Sequence, residues 1–172
     1  VYSDSCITYD GTPASTITGL EHLEGETVKV WADNAVQADK VVASGSIALD
    51  VAASVVQVGL SFTHKLKTLK IEGGNAAGTS VGRTKRINGL TFVLLNSHTI
   101  EYGPDNSVAL DKNDFREVSD AMDSATPLFT GELFVEFEGN WEADPRVYVE
   151  SDDPAPFTLL AIAPEVKINA LK

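Results

Sequence analysis

Between residues 27 and 59, apolar and polar positions alternate in three short runs. Val28, Val30 and Ala32 alternate with Thr27, Lys29, Trp31 and Asp33. Ile47 and Leu49 alternate with Ser46, Ala48 and Asp50, and Val56 and Val58 with Val55, Gln57 and Gly59. Successive side chains of a strand point to opposite faces, so a period of two predicts half-buried β-strands. The spacers Asp33-Asn34 and Ser44-Gly45-Ser46 are residue types that accept tight or left-handed turns. The stretch therefore predicts a β-meander, with the Trp31 indole on the face opposite Val28 and Val30 and packed in a core or subunit interface.

The second half continues the pattern. Residues 64–71 read as an extended strand, with Leu66, Leu69 and Ile71 apolar, that breaks into a glycine-rich loop over 73–82. Residues 85–102 predict a pair of strands turned at Asn96-Ser97-His98. The run 92–95 is apolar on both faces and predicts a central strand. In 131–138, Leu133, Val135 and Phe137 share one face, while Glu132, Phe134, Glu136 and Glu138 share the other. Residues 146–150 are expected to pair with that strand, and 157–163 to form a last buried strand ended by Pro164. The stretch 105–126 is polar and acidic and is expected to be the least ordered. Within it, 115–122 is compatible with a turn or two of helix or with a loop over a sheet edge. About nine or ten short strands between turn clusters indicate an antiparallel sandwich or barrel. The prediction is an all-β fold, an antiparallel sandwich with a small barrel-like β-meander, divided into residues 1–60 with the meander and 61–172 as the sandwich.

Charge narrows the function classes. The 172 residues carry a net −12, very unevenly. Residues 1–104 hold eight Lys/Arg against ten Asp/Glu, whereas 105–153 hold three against fourteen. Phosphate binding needs clustered cations, so direct or sequence-specific nucleic-acid binding is not expected. The cations that exist are concentrated: Lys65, Lys67, Lys70, Arg83, Lys85 and Arg86 bracket the 73–82 loop and form the candidate interface. That loop lacks the Gly-Lys-Ser/Thr ending of a phosphate cradle. No apolar run reaches membrane-spanning length, and no membrane partner is expected. The opening Val1-Tyr2-Ser3-Asp4 reads as the start of a fragment of a larger protein.

Chemistry-bearing constellations are absent from the sequence. Cys6 is the single cysteine, which rules out an internal disulfide and reads as a small filler near the amino end. His22, His64 and His98 have no metal-ligand spacing, and His22 is expected to bond to backbone. Asp4, Asp10, Asp152 and Asp153 do not build a calcium loop. No hydrolase elbow, zinc helix or dinucleotide fingerprint is present, so no enzyme, metal or cofactor is expected. Among the aromatic residues (Trp31, Tyr2, Tyr9 and Tyr102 included), Trp141 and Tyr148 are the candidates for stacking a sugar, should the chain bind carbohydrate or a receptor.

Several segments, in order, resemble tail and neck structural proteins of short-tailed bacteriophages and their prophage copies. These are 19–25 (Gly-Leu-Glu-His-Leu-Glu-Gly), 28–33, 54–60, 66–69, 84–87, 128–131 and 156–162. The chain departs from the family at Asn34-Ala35, where a glycine is usual, and at Ser61, where a proline often stands. The resemblance implies a non-enzymatic virion component, made in the bacterial cytoplasm. Its partners would be copies of itself and other tail or neck proteins, in a ring around the DNA conduit.

Overall fold

The structure is a computed structural model that describes residues 3–75, 78–105 and 109–169. All of its named strands pair antiparallel, and the fold is all-β. The chain forms two compact units: Val1–Thr63 with Phe115–Leu128 and Asp152–Pro156, and His64–Asp114 with Phe129–Ser151 and Phe157–Lys172. The first thus starts with the segment expected to hold the meander, and also takes in two later stretches that a single cut at residue 60 leaves out.

The first unit is a four-stranded sheet in the order β1-β4-β2-β3. Its strands are β1 (Ser3–Thr18), β2 (Thr27–Ala32), β3 (Ala35–Val41) and β4 (Ser46–Ser61). Two of the alternating runs belong to the single strand β4. Its buried positions shift phase from Ile47, Leu49 and Ala53 to Val56 and Val58, which matches register irregularities against β1. β1 was not foreseen, because Gly11-Thr12-Pro13 interrupts its alternation. As the edge strand it absorbs Pro13 between the paired residues Asp10 and Ala14, where no ladder hydrogen bond is lost.

The turns follow from their residues. Asp33 and Asn34 both have positive φ, 44° and 66°, as a two-residue hairpin turn requires. Asp33 also clamps β4: its carboxylate accepts from the Ser54 and Val55 amides at 2.9 and 2.8 Å, and its own amide donates to the Val55 carbonyl. Ser44-Gly45 repeats the geometry between β3 and β4, and the Glu24 carboxylate accepts both of their amides at 2.8 and 2.7 Å. A Cβ on Gly45 would stand 2.9 Å from the Glu21 side chain, which would have to shift to admit it. Beyond this turn β3 and β4 separate. The Gln37 amide spans the gap, donating to the Val51 carbonyl at 3.0 Å and accepting from the Asp50 amide at 2.9 Å. The meander therefore curls toward closure without a β3–β4 backbone ladder, and it is not a closed barrel.

The second unit holds two larger sheets and a short ribbon. One sheet runs β10-β9-β12-β5, from β5 (His64–Lys67), β9 (Thr99–Gly103), β10 (Asp111–Asp114) and β12 (Tyr148–Ser151). The other runs β11-β8-β13, from β8 (Lys85–Ser97), β11 (Phe129–Glu136) and β13 (Leu159–Ile168). The ribbon is β6 (Gly74–Asn75) with β7 (Gly78–Thr79). Leu90, Phe92 and Leu94 line the buried face of β8, and the Phe92 ring packs 5.3 Å from Tyr102 of the other sheet, tilted by 53°.

Four expectations change. β8 and β9 do not pair with each other; the chain passes from one sheet to the other at His98. β8 is central as expected, but only one of its faces is fully buried. β12 pairs with β5 and β9 rather than with β11, and lies inside its sheet with Tyr148 and Val149 both buried. β13 is a half-exposed edge strand that runs through Pro164, which an edge tolerates because one side of the strand needs no donor. Within 105–126, β10 pairs with β9 and no helix forms in 115–122, whose chain turns are held by Arg116 donating to the Ala121 and Ser124 carbonyls. Asn106, Ser107 and Val108 lie outside the described residues.

Candidate functional site

The basic stretch divides into two populations. Lys65 and Lys67 stand on the edge strand β5, with Lys70 just beyond it. They pair with Glu150 at 3.6 Å, Asp105 at 3.4 Å and Glu72 at 3.4 Å respectively. The three lysine side chains are about half exposed, so each pair contributes little and is open to exchange. Exposed Leu66, Leu69 and Val81 interleave with these cations. Arg83 is half-buried and Arg86 exposed, and neither makes an ion pair among the described residues.

Lys85 does not belong to that surface. It is fully buried, and its ammonium donates to Glu72 Oε2 at 3.0 Å and to the Ser80 carbonyl at 3.3 Å. The Ser80 hydroxyl donates to the same carboxylate oxygen at 2.8 Å and accepts from the Gly73 amide at 2.8 Å. The Lys85 and Ser80 bonds, with help from Lys70, hold the Glu72 carboxyl down to about 2. This knot fastens the base of the loop that carries β6 and β7, and draws Lys70 and Val81 to one place. A cavity of about 440 Å³ adjoins it, walled by Pro164, Val166 and Ile168 of β13. Ser80 is no activated nucleophile, since its hydroxyl proton goes to a carboxylate already neutralised by lysine. Ala76 and Ala77 of the loop lie outside the described residues.

The proposed stacking pair is not assembled. Trp141 is 49% exposed, but Tyr148 is buried and its hydroxyl donates to the Glu150 carboxylate. That bond, with burial, pushes the phenol up to about 12. Tyr148 offers no ring face to a ligand and is withdrawn as a stacking residue. Of the other aromatic candidates, Tyr9 donates to the Thr12 carbonyl at 2.7 Å, and Tyr102 packs on Phe92. Trp31 is buried, as expected, beside an open cleft of about 380 Å³ shared with Asp33, Asn34 and Gln57. Tyr2 lies outside the described residues.

His22 Nε2 donates to the Ser5 carbonyl at 3.0 Å. Cys6 is exposed rather than a core filler. In the first unit, Lys29 pairs with Asp39 at 3.3 Å and Asp152 at 3.5 Å. Burial pulls its pKa down, and the two carboxylates more than reverse that, leaving it raised. Among the described residues no three His, Cys, Asp or Glu side chains converge on a metal position, and no helix is long and apolar enough to cross a membrane.

The sheet β11-β8-β13 presents a second surface, one that sequence reasoning passed over. On its outer face Phe134, Thr91 and Ala163 align across the three strands, next to the row of Glu132, Val93 and Ala161. Phe134 is 61% exposed, and its ring covers Gly89, where a Cβ would meet it at 2.9 Å. Leu95 and Leu160 extend the apolar patch at one end. Exposed Glu132, Glu136 and Glu165 frame it, and Arg86 pairs with Lys167 at the far end. Arg86 thus lies on this face and not beside Lys65 and Lys67. The signal was present in β11, where one phenylalanine stands among glutamates on the solvent side.

Comparison with protein-family models and with curated proteins finds no match to this chain.

Proposed function

We propose that this chain is a non-enzymatic structural component of the tail or neck of a short-tailed bacteriophage or prophage, one of several copies forming a ring around the DNA conduit. The observation that carries the reading is the ordered resemblance of its segments to that family. Those segments supply most of β2, the second halves of β4 and β5, and the beginnings of β8, β11 and β13. The resemblance thus falls on the framework rather than on one loop. The physical demands of a conduit suit the chain. Antiparallel sheets give rigidity, and a net charge of −12 repels a passing duplex, which prevents sticking. The work assigned to it is assembly, with no bond made or broken.

The test is immunogold labelling of phage particles, or particles induced from a prophage, with antibodies raised against this chain. Label at the tail or neck is expected. Label confined to the capsid, or particles without the chain by mass spectrometry, would overturn the proposal.

A further inference from the structure

We propose that the outer face of the β11-β8-β13 sheet is the docking surface for a second copy of this chain, which approaches with its basic β5 edge. This deepens the ring-forming reading above, on which it rests, by assigning the contact between copies. An apolar centre of Phe134, Leu95 and Leu160 inside a frame of Glu132, Glu136 and Glu165 calls for a partner that is apolar in the middle and cationic around it. A chain of net −12 supplies few such surfaces. Six of its thirteen Lys and Arg fall between residues 65 and 86, and of those Lys65, Lys67, Lys70 and Arg83 accompany exposed Leu69 and Val81, with Leu66 exposed on the other face of the β5 edge.

The lysines are available for exchange. The lysine side chains are about half exposed and meet their present partners at 3.4–3.6 Å, so trading Glu150 or Asp105 for a glutamate of the neighbouring copy costs little. Lys85 and Glu72 hold the loop base in place and take no part in the contact. Donor and acceptor lie in different sheets of the same unit, so the contact is heterologous: each copy gives one surface and receives on the other. Such contacts propagate head to tail and end only by closing a ring.

Sedimentation velocity on the intact chain tests this with two variants. The acceptor variant carries Phe134→Ser and Glu132→Lys; the donor variant carries Lys67→Glu and Leu69→Ser. Wild type is expected to self-associate with rising concentration, more weakly as salt increases. Each variant alone should need at least about tenfold higher concentration to associate. An equimolar mixture should form one-to-one dimers, because the acceptor variant keeps its donor edge and the donor variant keeps its acceptor face. Circular dichroism melts check folding, and Glu132→Lys alone serves as a second acceptor variant because Phe134→Ser also uncovers Gly89.

Wild type that stays monomeric to about 1 mM overturns the proposal. Variants that associate like wild type overturn it too, as does a mixture that forms no dimer. Failure here is separable from failure of the structural reading. Gold label at the tail with unaffected variants removes this contact alone, whereas the expected dimers without label on particles remove the tail assignment alone.

Discussion

At Glu72 a single carboxylate accepts from the Lys85 ammonium and the Ser80 hydroxyl, and this gives the second unit a defined acid sensitivity. Its pKa falls from the ordinary 4.5 to about 2, so the folded state prefers the ionised form. The stabilisation is full above about 4.5 and is lost as pH falls from there through about 2. Melting temperature followed against pH should drop across that window, and Glu72→Gln should flatten the drop; an unchanged profile would remove Glu72 as its source. Tyr148 behaves in the opposite direction. Its phenol is raised to about 12, first by the Glu150 bond, so its contribution is present below the ordinary 10 and is lost as pH rises through about 12. Ultraviolet titration should show a late phenolate step that Tyr148→Phe abolishes. Nothing in Arg83-Thr84-Lys85-Arg86 marks which cation turns inward, because a lysine is drawn inside only where a carboxylate from elsewhere waits.

At the scale of elements, local chemistry decided the turns and distant neighbours decided the pairings. Asp33-Asn34 and Ser44-Gly45 were legible because positive φ is tolerated by few residue types. Asp33 then does more than turn the chain, since its carboxylate holds two β4 amides. Asp33→Ala should cost about 1.5 kcal/mol in urea denaturation, the scale of hydrogen bonds to a charged group. No loss would show that the hairpin holds β4 without the clamp. The β11–β12 pairing was misread because adjacency along the chain is only a tendency. The run Val147, Tyr148 and Val149 is buried on both faces, which places β12 inside a sheet but does not name its partners. Pro164 was read as a stop because the edge position that excuses it is a property of the sheet.

For the whole molecule, the core of the first unit lies within residues 17–58, with Ile7, Tyr9, Ala14 and Leu60 packed against it. All four strands of its sheet fall within residues 3–61, although 115–128 and 152–156 return to the unit later in the chain. A fragment of residues 1–63 should therefore fold as a β-protein with a cooperative melt, below the melting temperature of the intact chain because the Asp152 partner of Lys29 is lost. A non-cooperative melt with poorly dispersed amide resonances would show that the returning segments are required for folding.

The alternation of residues 27–59, the strand character of 85–97 and 131–137, and the tight turns were determined by the sequence itself. They depend on side-chain direction and backbone sterics, which reach only a few residues along the chain. The assignment of strands to sheets, the inward turn of Lys85, the burial of Tyr148 and the open apolar face around Phe134 were decided by the tertiary structure. Each depends on what lies across a sheet or beneath a side chain. Lys85 and Glu72 are 13 residues apart and Thr68 and Val147 are 79 apart, yet both pairs are joined by hydrogen bonds. Burial and charge pairing act through such distances in space, and a one-dimensional pattern does not carry them.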